Sequence, residues 1–350
     1  MELHKRLGEL TGVSEEICYE YLVKYNFDLN TTFENLIKSE SIDFISGDIG
    51  SSVCTSNKMK DKRIGIFATM SAGKSTLINA LVGYNLCPSQ NQACTAKILK
   101  FTNNDELEHP IYINETEQSF VTLESLRQLN QTSDKTMLEF ELNFKGIQNK
   151  NQKIQLFDTP GVNYSQDLSH GELSYHFLSS QEFDQIIYLM NATQFGVDDD
   201  KALLMDLKQK LKNQKTDLIF LINKIDEFDI ENGESIQTIV HSCFDYLEEI
   251  GFENPKIIPI SGQAAKLIRM ALMGEEMSRK ERMDVDLFIE IFSHSAYYLP
   301  QYRKNLSYES ETNRRLYGSL TIGTKTYPLK EVMQALEATG ILMLEQLISQ

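Results

Sequence analysis

Residues 68–76 read Ala-Thr-Met-Ser-Ala-Gly-Lys-Ser-Thr, and this run decides the fold. Before it, Arg63 to Ala68 (Arg-Ile-Gly-Ile-Phe-Ala) has the apolar character of a short strand; after it, Leu77 to Leu81 opens an apolar helical pattern. A glycine-containing turn between strand and helix converges backbone N–H groups on one point, and the helix N-terminus adds its dipole there. Such a loop binds phosphate. The stretch Met70, Ser71, Ala72, Gly73, Lys74, Ser75 and Thr76 forms the cradle, with Lys74 reaching the β- and γ-phosphates as a point charge and the Ser75 hydroxyl ligating Mg²⁺. The usual pattern is GxxxxGK[ST], whose first glycine is here Ala68. Alanine fits that position where φ is negative and is strained where φ must be positive.

Three further motifs follow in order, each at the end of an apolar strand. Lys153 to Phe157 runs into Asp158-Thr159-Pro160-Gly161, where the Asp158 carboxylate can hold an Mg²⁺-bound water and the Gly161 N–H can sense a γ-phosphate. Asp217 to Ile222 runs into Asn223-Lys224-Ile225-Asp226. Guanine offers two donors, N1–H and an exocyclic amine, and the Asp226 carboxylate accepts both; adenine has no such pair, so this element selects GTP over ATP. Lys256 to Ile260 ends in Ser261-Gly262-Gln263, which fits the weaker base-contacting loop. Between the first and second motifs, Thr95 can close over the metal as a switch I threonine. The ordered set predicts an α/β fold: a P-loop GTPase with a doubly wound mixed sheet flanked by helices, GTP and GDP as substrate and product, and Mg²⁺ held by Ser75, Thr95 and Asp158.

The run from Thr69 to Gly83, followed by Cys87-Pro88-Ser89 and Ala93-Cys94-Thr95-Ala96, resembles the dynamin superfamily, in particular its bacterial dynamin-like members. The resemblance covers Arg63 to Ser261. It implies that Ser71 helps position the attacking water and that Thr95 orients it through its backbone, so that Ser71, Lys74 and Thr95 form the catalytic set. The alternative reading of Ser71, from its residue type alone, is a turn serine bonding its own loop. Dynamin itself carries glutamine where this chain has Met70. A thioether cannot orient water as an amide does, so the resemblance does not set the rate. No arginine lies in the phosphate loop or in Tyr84 to Thr95, so no arginine finger in cis is evident. The resemblance implies a homodimer across the nucleotide faces that supplies a missing group. Lys97 and Lys100 read as a solvated strand face.

With 350 residues the chain has room for one large α/β domain and a small accessory one. The net charge is −16, which disfavours nucleic acid and anionic lipid as primary surfaces, and direct nucleic-acid binding is not expected. Basic stretches at Lys208 to Lys215 and Arg279 to Arg282 are the local exceptions. The first follows acidic Asp198 to Asp200 and reads as a helix with complementary charge at its two ends. Five cysteines and six histidines show no metal-ligand spacing. With neither a signal peptide nor an apolar run near 18 residues, the expectation is a reduced, soluble, cytoplasmic chain. The resemblance adds peripheral association with a membrane or scaffold. Cys87 and Cys94 flank the switch I region, as redox groups or as small buried hydrophobes.

The chain divides into a small helical module (1–48), a polar Gly/Ser-containing linker (49–62), the GTPase domain (63–272) and a helical C-terminal part packing on it (273–350). In the first, Thr11-Gly12-Val13 makes a turn, Ser14 caps a helix, and Thr31-Thr32-Phe33-Glu34 is a capping box. This layout resembles a ubiquitin-associated-type module, which implies a docked protein partner; the alternative is a helical arm packing on the GTPase domain. Leu138, Phe140, Leu142 and Phe144 alternate with period two, an antiparallel addition to the sheet with one buried face. The Gln-Leu-Phe within Lys153 to Phe157 has the form of a sliding-clamp-binding peptide, but reads as core strand because Asp158 follows it directly. In the last part, Asp284 to Tyr298 and Leu329 to Gln350 have helical spacing, interrupted by Gly318 to Pro328, and the part is too short for the long stalk of dynamin relatives. Two functions follow: a dynamin-like GTPase stimulated by dimerisation and linked to membrane or scaffold remodelling, or a slow switch-type GTPase acting as a nucleotide-dependent interaction module.

Overall fold

In the computed structural model, the described residues are 60–69, 71–87, 97–113, 118–121, 125–126, 128–129, 135–160, 176–178, 180–194, 196, 198–212, 214–310 and 316–350. All lie within one compact unit, Met59–Gln350. The helical module expected over 1–48, and most of the linker, lie outside the described residues.

Strand β1, Lys60–Ala68, enters the phosphate loop and helix α1, Lys74–Val82, leaves it. The strand begins inside the expected linker because Lys60, Asp61 and Lys62 already pair in register with Gln152, Lys153 and Ile154 of β6, Gln152–Asp158. The helix starts three residues before Leu77, at the lysine that follows Gly73. Strands β2 (Ile98–Asn103), β3 (Ile111–Ile113), β4 (Gln118–Phe120) and β5 (Met137–Leu142) lie between α1 and β6 in sequence. After β6 come β7 (Gln185–Asn191), helix α2 (Asp198–Leu211), β8 (Asp217–Asn223), helix α3 (Ile236–Ile250) and β9 (Lys256–Pro259).

These strands form a mixed sheet in the order β4-β3-β5-β2-β6-β1-β7-β8-β9. The five from β6 to β9 run parallel, with β6 and β7 on opposite sides of β1. The winding therefore reverses at β1, and the carboxyl ends beside that reversal are where an open α/β sheet binds ligands. Burial on both faces explains the unbroken apolar runs: β7 is buried along its whole length, and β8 along its last five residues. β5 buries alternate residues, as its period-two pattern predicts, and runs antiparallel to β3. Its pairing with β2 is parallel, however, and the reversal of direction is made one strand earlier, where β2 meets β6.

Helix α4, Gly262–Leu272, packs against α1, and α5, Arg279–Ser293, follows it behind a capping box of Ser278 and Glu281. The helical pattern expected over Asp284 to Tyr298 is thus shifted, with α5 starting five residues earlier and ending at Ser293. The interruption at Gly318 to Pro328 is a hairpin, β10 (Ser319–Ile322) with β11 (Lys325–Pro328). The expected helix Leu329 to Gln350 is two, α6 (Leu329–Ala338) and α7 (Ile341–Ile348). They break at Gly340, whose φ of 84° is left-handed and whose absent Cβ would lie 2.6 Å from the Pro259 carbonyl oxygen. None of the described helices is long and apolar enough to cross a membrane.

Candidate functional site

The departure of this loop from the usual pattern at Ala68 carries no backbone strain. Ala68 is the last residue of β1, paired with Leu189, so the position is extended backbone that alanine adopts freely. The left-handed turns fall instead at Ser71 (φ 64°) and Gly73 (φ 93°). Gly73 is the required glycine: a Cβ there would collide with the side-chain nitrogen of Asn223.

Asn223 ends β8 almost fully buried. Its Nδ2 donates to the Ala72 carbonyl at 2.8 Å, and its Oδ1 accepts from the Gly262 N–H at 2.9 Å. One amide thus ties the phosphate loop to the loop that follows β9. The next residue, Lys224, is left-handed (φ 70°) and pairs with Glu227 at 3.6 Å. Asp226 accepts from the Ser261 hydroxyl at 2.5 Å, while the same Ser261 oxygen caps α4 by accepting from the Ala264 N–H at 3.2 Å. Burial pushes the Asp226 carboxyl above its ordinary range, and the Ser261 bond opposes that rise. Asn223, Asp226, Ser261 and Gly262 are therefore brought together as one cluster from two motifs 35 residues apart.

On the phosphate side, Lys74 forms a buried ion pair with the Asp158 carboxylate. Asp158 is wholly buried, and desolvation raises its pKa against the opposing pull of Lys74. Its second oxygen, Oδ2, is buried with no hydrogen-bond partner among the described residues. An orphaned carboxylate oxygen is costly in the interior unless something cationic or donating meets it. Thr159 fixes the end of β6 by donating to the Ile66 carbonyl at 3.1 Å, which holds Asp158 beside β1. Ser75 stands on the first turn of α1, next to Lys74. Met70, Thr95 and Gly161 lie outside the described residues.

Two lysines are not the solvated face that the sequence suggests. Lys97, which precedes β2, is buried and donates to the Leu129 carbonyl at 3.3 Å. Lys100 is half-buried and pairs with Glu139 of β5 at 2.9 Å. Two basic residues near the end of α2 are likewise engaged, Lys208 with the Ile250 carbonyl and Lys210 with that of Gln181, both at 2.9 Å. Cys87 is fully buried, and burial drives its thiol pKa well up, with the Asp158 charge adding to the effect. A thiol held protonated behaves as a small hydrophobe.

Two further residues, Asn79 within the Thr69–Gly83 run and Arg269 outside every motif, also shape this region. Asn79 of α1 holds the chain that leaves the helix at Leu86 and Cys87. Arg269 of α4 donates to the Ala80 carbonyl of α1 at 2.8 Å and pairs with Glu345 of α7 at 2.5 Å, both side chains being buried. The pair packs so closely over Gly146 that a Cβ there would force one of the two side chains to shift.

A protein from Caldicellulosiruptor sp. (strain Rt8B.4), described as an uncharacterized protein in the xynA 3′ region, is 23% identical over 264 residues, or 74% of this chain. The chain spans about 60% of that relative's length. Among solved structures, one of an oligomerised bacterial dynamin pair aligns at a TM-score of 0.46 and 17% identity, covering 85% of this chain and 45% of the other. Era from Aquifex aeolicus bound to GDP·AlF4− aligns at a TM-score of 0.36 and 17% identity, covering 67% of each. Residues 64–225, from the strand that enters the phosphate loop to the residue before Asp226, match the Dynamin family.

Proposed function

We propose that this chain is a dynamin-like GTPase that binds GTP with Mg²⁺ and hydrolyses it to GDP and phosphate. The observation that carries the reading is the sharing of Asn223 between Ala72 and Gly262, which ties the loop proposed to cradle phosphate to the Ser261–Gly262 turn on which Asp226, the proposed base-selective carboxylate, is held. The match of residues 64–225 to the Dynamin family supports it.

In this reading Asp226 accepts from guanine N1–H and the exocyclic amine. Those two donors relieve the same desolvation that raises its pKa, so guanine binding favours the ionised carboxylate. Lys74 is stored on Asp158 and transfers to the β- and γ-phosphate oxygens when nucleotide enters. The orphaned Asp158 Oδ2 and the Ser75 hydroxyl suit a hard cation with oxygen ligands, so these residues would hold Mg²⁺. Bound there, the ion supplies charge neutralisation for the phosphates. Water attacks the γ-phosphorus, and the bond to the β–γ bridging oxygen breaks with GDP leaving; the protein contributes positioning and charge rather than a covalent intermediate. Ser71 and Thr95 are the residues assigned to orient that water, and a second copy meeting at the nucleotide face is assigned any further group that full activity needs.

The test is nucleotide binding and turnover by the full chain. GTP should bind far more tightly than ATP, and Asp226→Asn should abolish that preference; equal GTP affinity in the variant would remove the basis for guanine selection. Specific activity that rises with protein concentration supports catalysis by a dimer. A flat, very slow rate supports instead the switch-type reading, in which the nucleotide state governs docking of a partner.

A further inference from the structure

We propose that a cavity over the middle of β1 and β6, on the sheet face that carries Arg63, binds a small monocarboxylic acid with an apolar body. Arg63 and Gln155 hold its carboxylate.

The cavity has a volume of about 330 Å³. That is at the lower end of the roughly 300–1,000 Å³ of small-molecule pockets, a size for a metabolite rather than a chain segment. Arg63 and Gln155 both line it and are register partners on adjacent parallel strands, so their side chains leave one face of the sheet about 5 Å apart. Gln155 is 7% exposed, and its carboxamide has no hydrogen-bond partner among the described residues. Buried amides are normally paired, so one that opens onto a cavity without a protein partner is a group kept for something that enters.

Arg63 is held in place before any ligand arrives. Its guanidinium carbon lies 5.1 Å from the centre of the Phe157 ring and 5.8 Å from that of Phe183, both rings being buried. One guanidinium nitrogen donates to Gln181 Oε1 at 2.6 Å. That partner is neutral, and no carboxylate among the described residues pairs with the guanidinium. Lys100, across β6 from Arg63, is by contrast matched by Glu139 at 2.9 Å. The unmatched positive charge of the cavity is therefore that of Arg63, fixed against aromatic faces with N–H donors to spare.

A guanidinium offers two parallel donors to a planar carboxylate, and the Gln155 amide adds another from the neighbouring strand. Asp61, exposed and two residues before Arg63 on the same face, also lines the cavity and repels a second negative charge. A monocarboxylate thus fits better than a dicarboxylate or phosphate. Met137, Phe157 and Phe177 give the apolar wall for the rest of the molecule. The Arg63 backbone stands about 16 Å along β1 from Ala68, so the site is separate from the phosphate loop.

The experiment titrates the full chain with sodium benzoate, 4-methylpentanoate, succinate and inorganic phosphate at constant ionic strength, by isothermal calorimetry and thermal unfolding, and repeats this on Arg63→Lys and Gln181→Glu. At least one of the two monocarboxylates should bind, raise the unfolding temperature, and bind about tenfold more tightly than succinate or phosphate. Lysine keeps the charge but not the planar fork, so Arg63→Lys should weaken that binding about tenfold. Glutamate at position 181 is nearly isosteric and puts a carboxylate on the guanidinium where the amide now bonds. It should weaken binding about 100-fold while leaving the unfolding temperature of the unliganded chain unchanged or higher, a pair of results that misfolding cannot give. If Arg63→Lys does not fold, Gln181→Glu decides. No binding of either monocarboxylate at about 10 mM overturns the proposal. So does succinate or phosphate binding as tightly, which rejects the ligand class, and so does monocarboxylate binding that is indifferent to Gln181→Glu, which puts the ligand elsewhere.

Discussion

Replacing Gly73 by alanine should cost stability through two separable effects. The position is left-handed, with φ 93° and ψ 24°, a conformation that costs an L-residue about 1–2 kcal/mol. The new Cβ also collides with Asn223 Nδ2, a side chain buried between the loops it joins. To make room, Asn223 must give up its 2.8 Å bond to the Ala72 carbonyl and its 2.9 Å bond from the Gly262 N–H. Losing bonds whose partners stay buried costs about 1–3 kcal/mol, so the whole penalty is about 2–5 kcal/mol. That is a large share of the roughly 5–15 kcal/mol available to a folded domain. Urea unfolding of Gly73→Ala, Asn223→Ala and the double variant separates the effects. With Asn223 already gone, the alanine has only its backbone strain to bear, so its cost should fall by about 1–3 kcal/mol in that background. An alanine that costs under about 1 kcal/mol, or the same in both backgrounds, would refute the assignment of Asn223 as the shared tie.

Lys74→Ala should abolish guanine-nucleotide binding, and undiminished GTP affinity by equilibrium titration would refute the loop assignment. It should also lower the unfolding temperature of the nucleotide-free protein, because Asp158 is left buried without its cation. Glu345 makes a pH prediction: burial outweighs the pull of Arg269 and raises its pKa from an ordinary 4.5 to about 7. Between those values the folded protein holds a proton that the unfolded chain releases, so stability falls as pH rises through that window and levels off above it. Glu345→Gln should flatten that part of the stability profile measured by urea unfolding; a slope identical to that of the unaltered chain would show that another group sets it.

The chemistry-bearing strands are legible because each apolar run stops at residues with a job. β1 stops at the phosphate loop, β6 at Asp158 and β8 at Asn223. β7 is just as apolar, but it ends at Asn191 with no motif behind it, and only the sheet order reveals it as the neighbour of β1. The Thr-rich hairpin at residues 319–328 has strand-forming residue types around Gly323, yet its shortness hides it between two helical patterns. Within the site, residue types that bind phosphate and guanine are readable from local spacing. What holds them is not, because it depends on distant partners. The hydroxyl that supports Asp226 comes from Ser261, and the clamp on Cys87 comes from Asn79, whose place in the Thr69–Gly83 run does not say what it bonds. Burial of Lys97 is hidden for the same reason: a lone lysine at a strand's edge carries no sign of what covers it.

The C-terminal helix α7 is joined to the nucleotide-binding half at two separate points. Arg269 links Glu345 to the last turn of α1, and Lys62 near the start of β1 donates to the Ile348 carbonyl at 2.8 Å. Peeling α7 away would expose a buried ion pair and leave the arginine and Lys62 without these partners, so the helix is not a low-cost local opening. Its amides belong to the same cooperative unit as β1 and α1, and should exchange with solvent only as slowly as those of the strand that enters the phosphate loop. A pull applied to α7 is accordingly felt at the far ends of the two elements whose near ends flank residues 69–73.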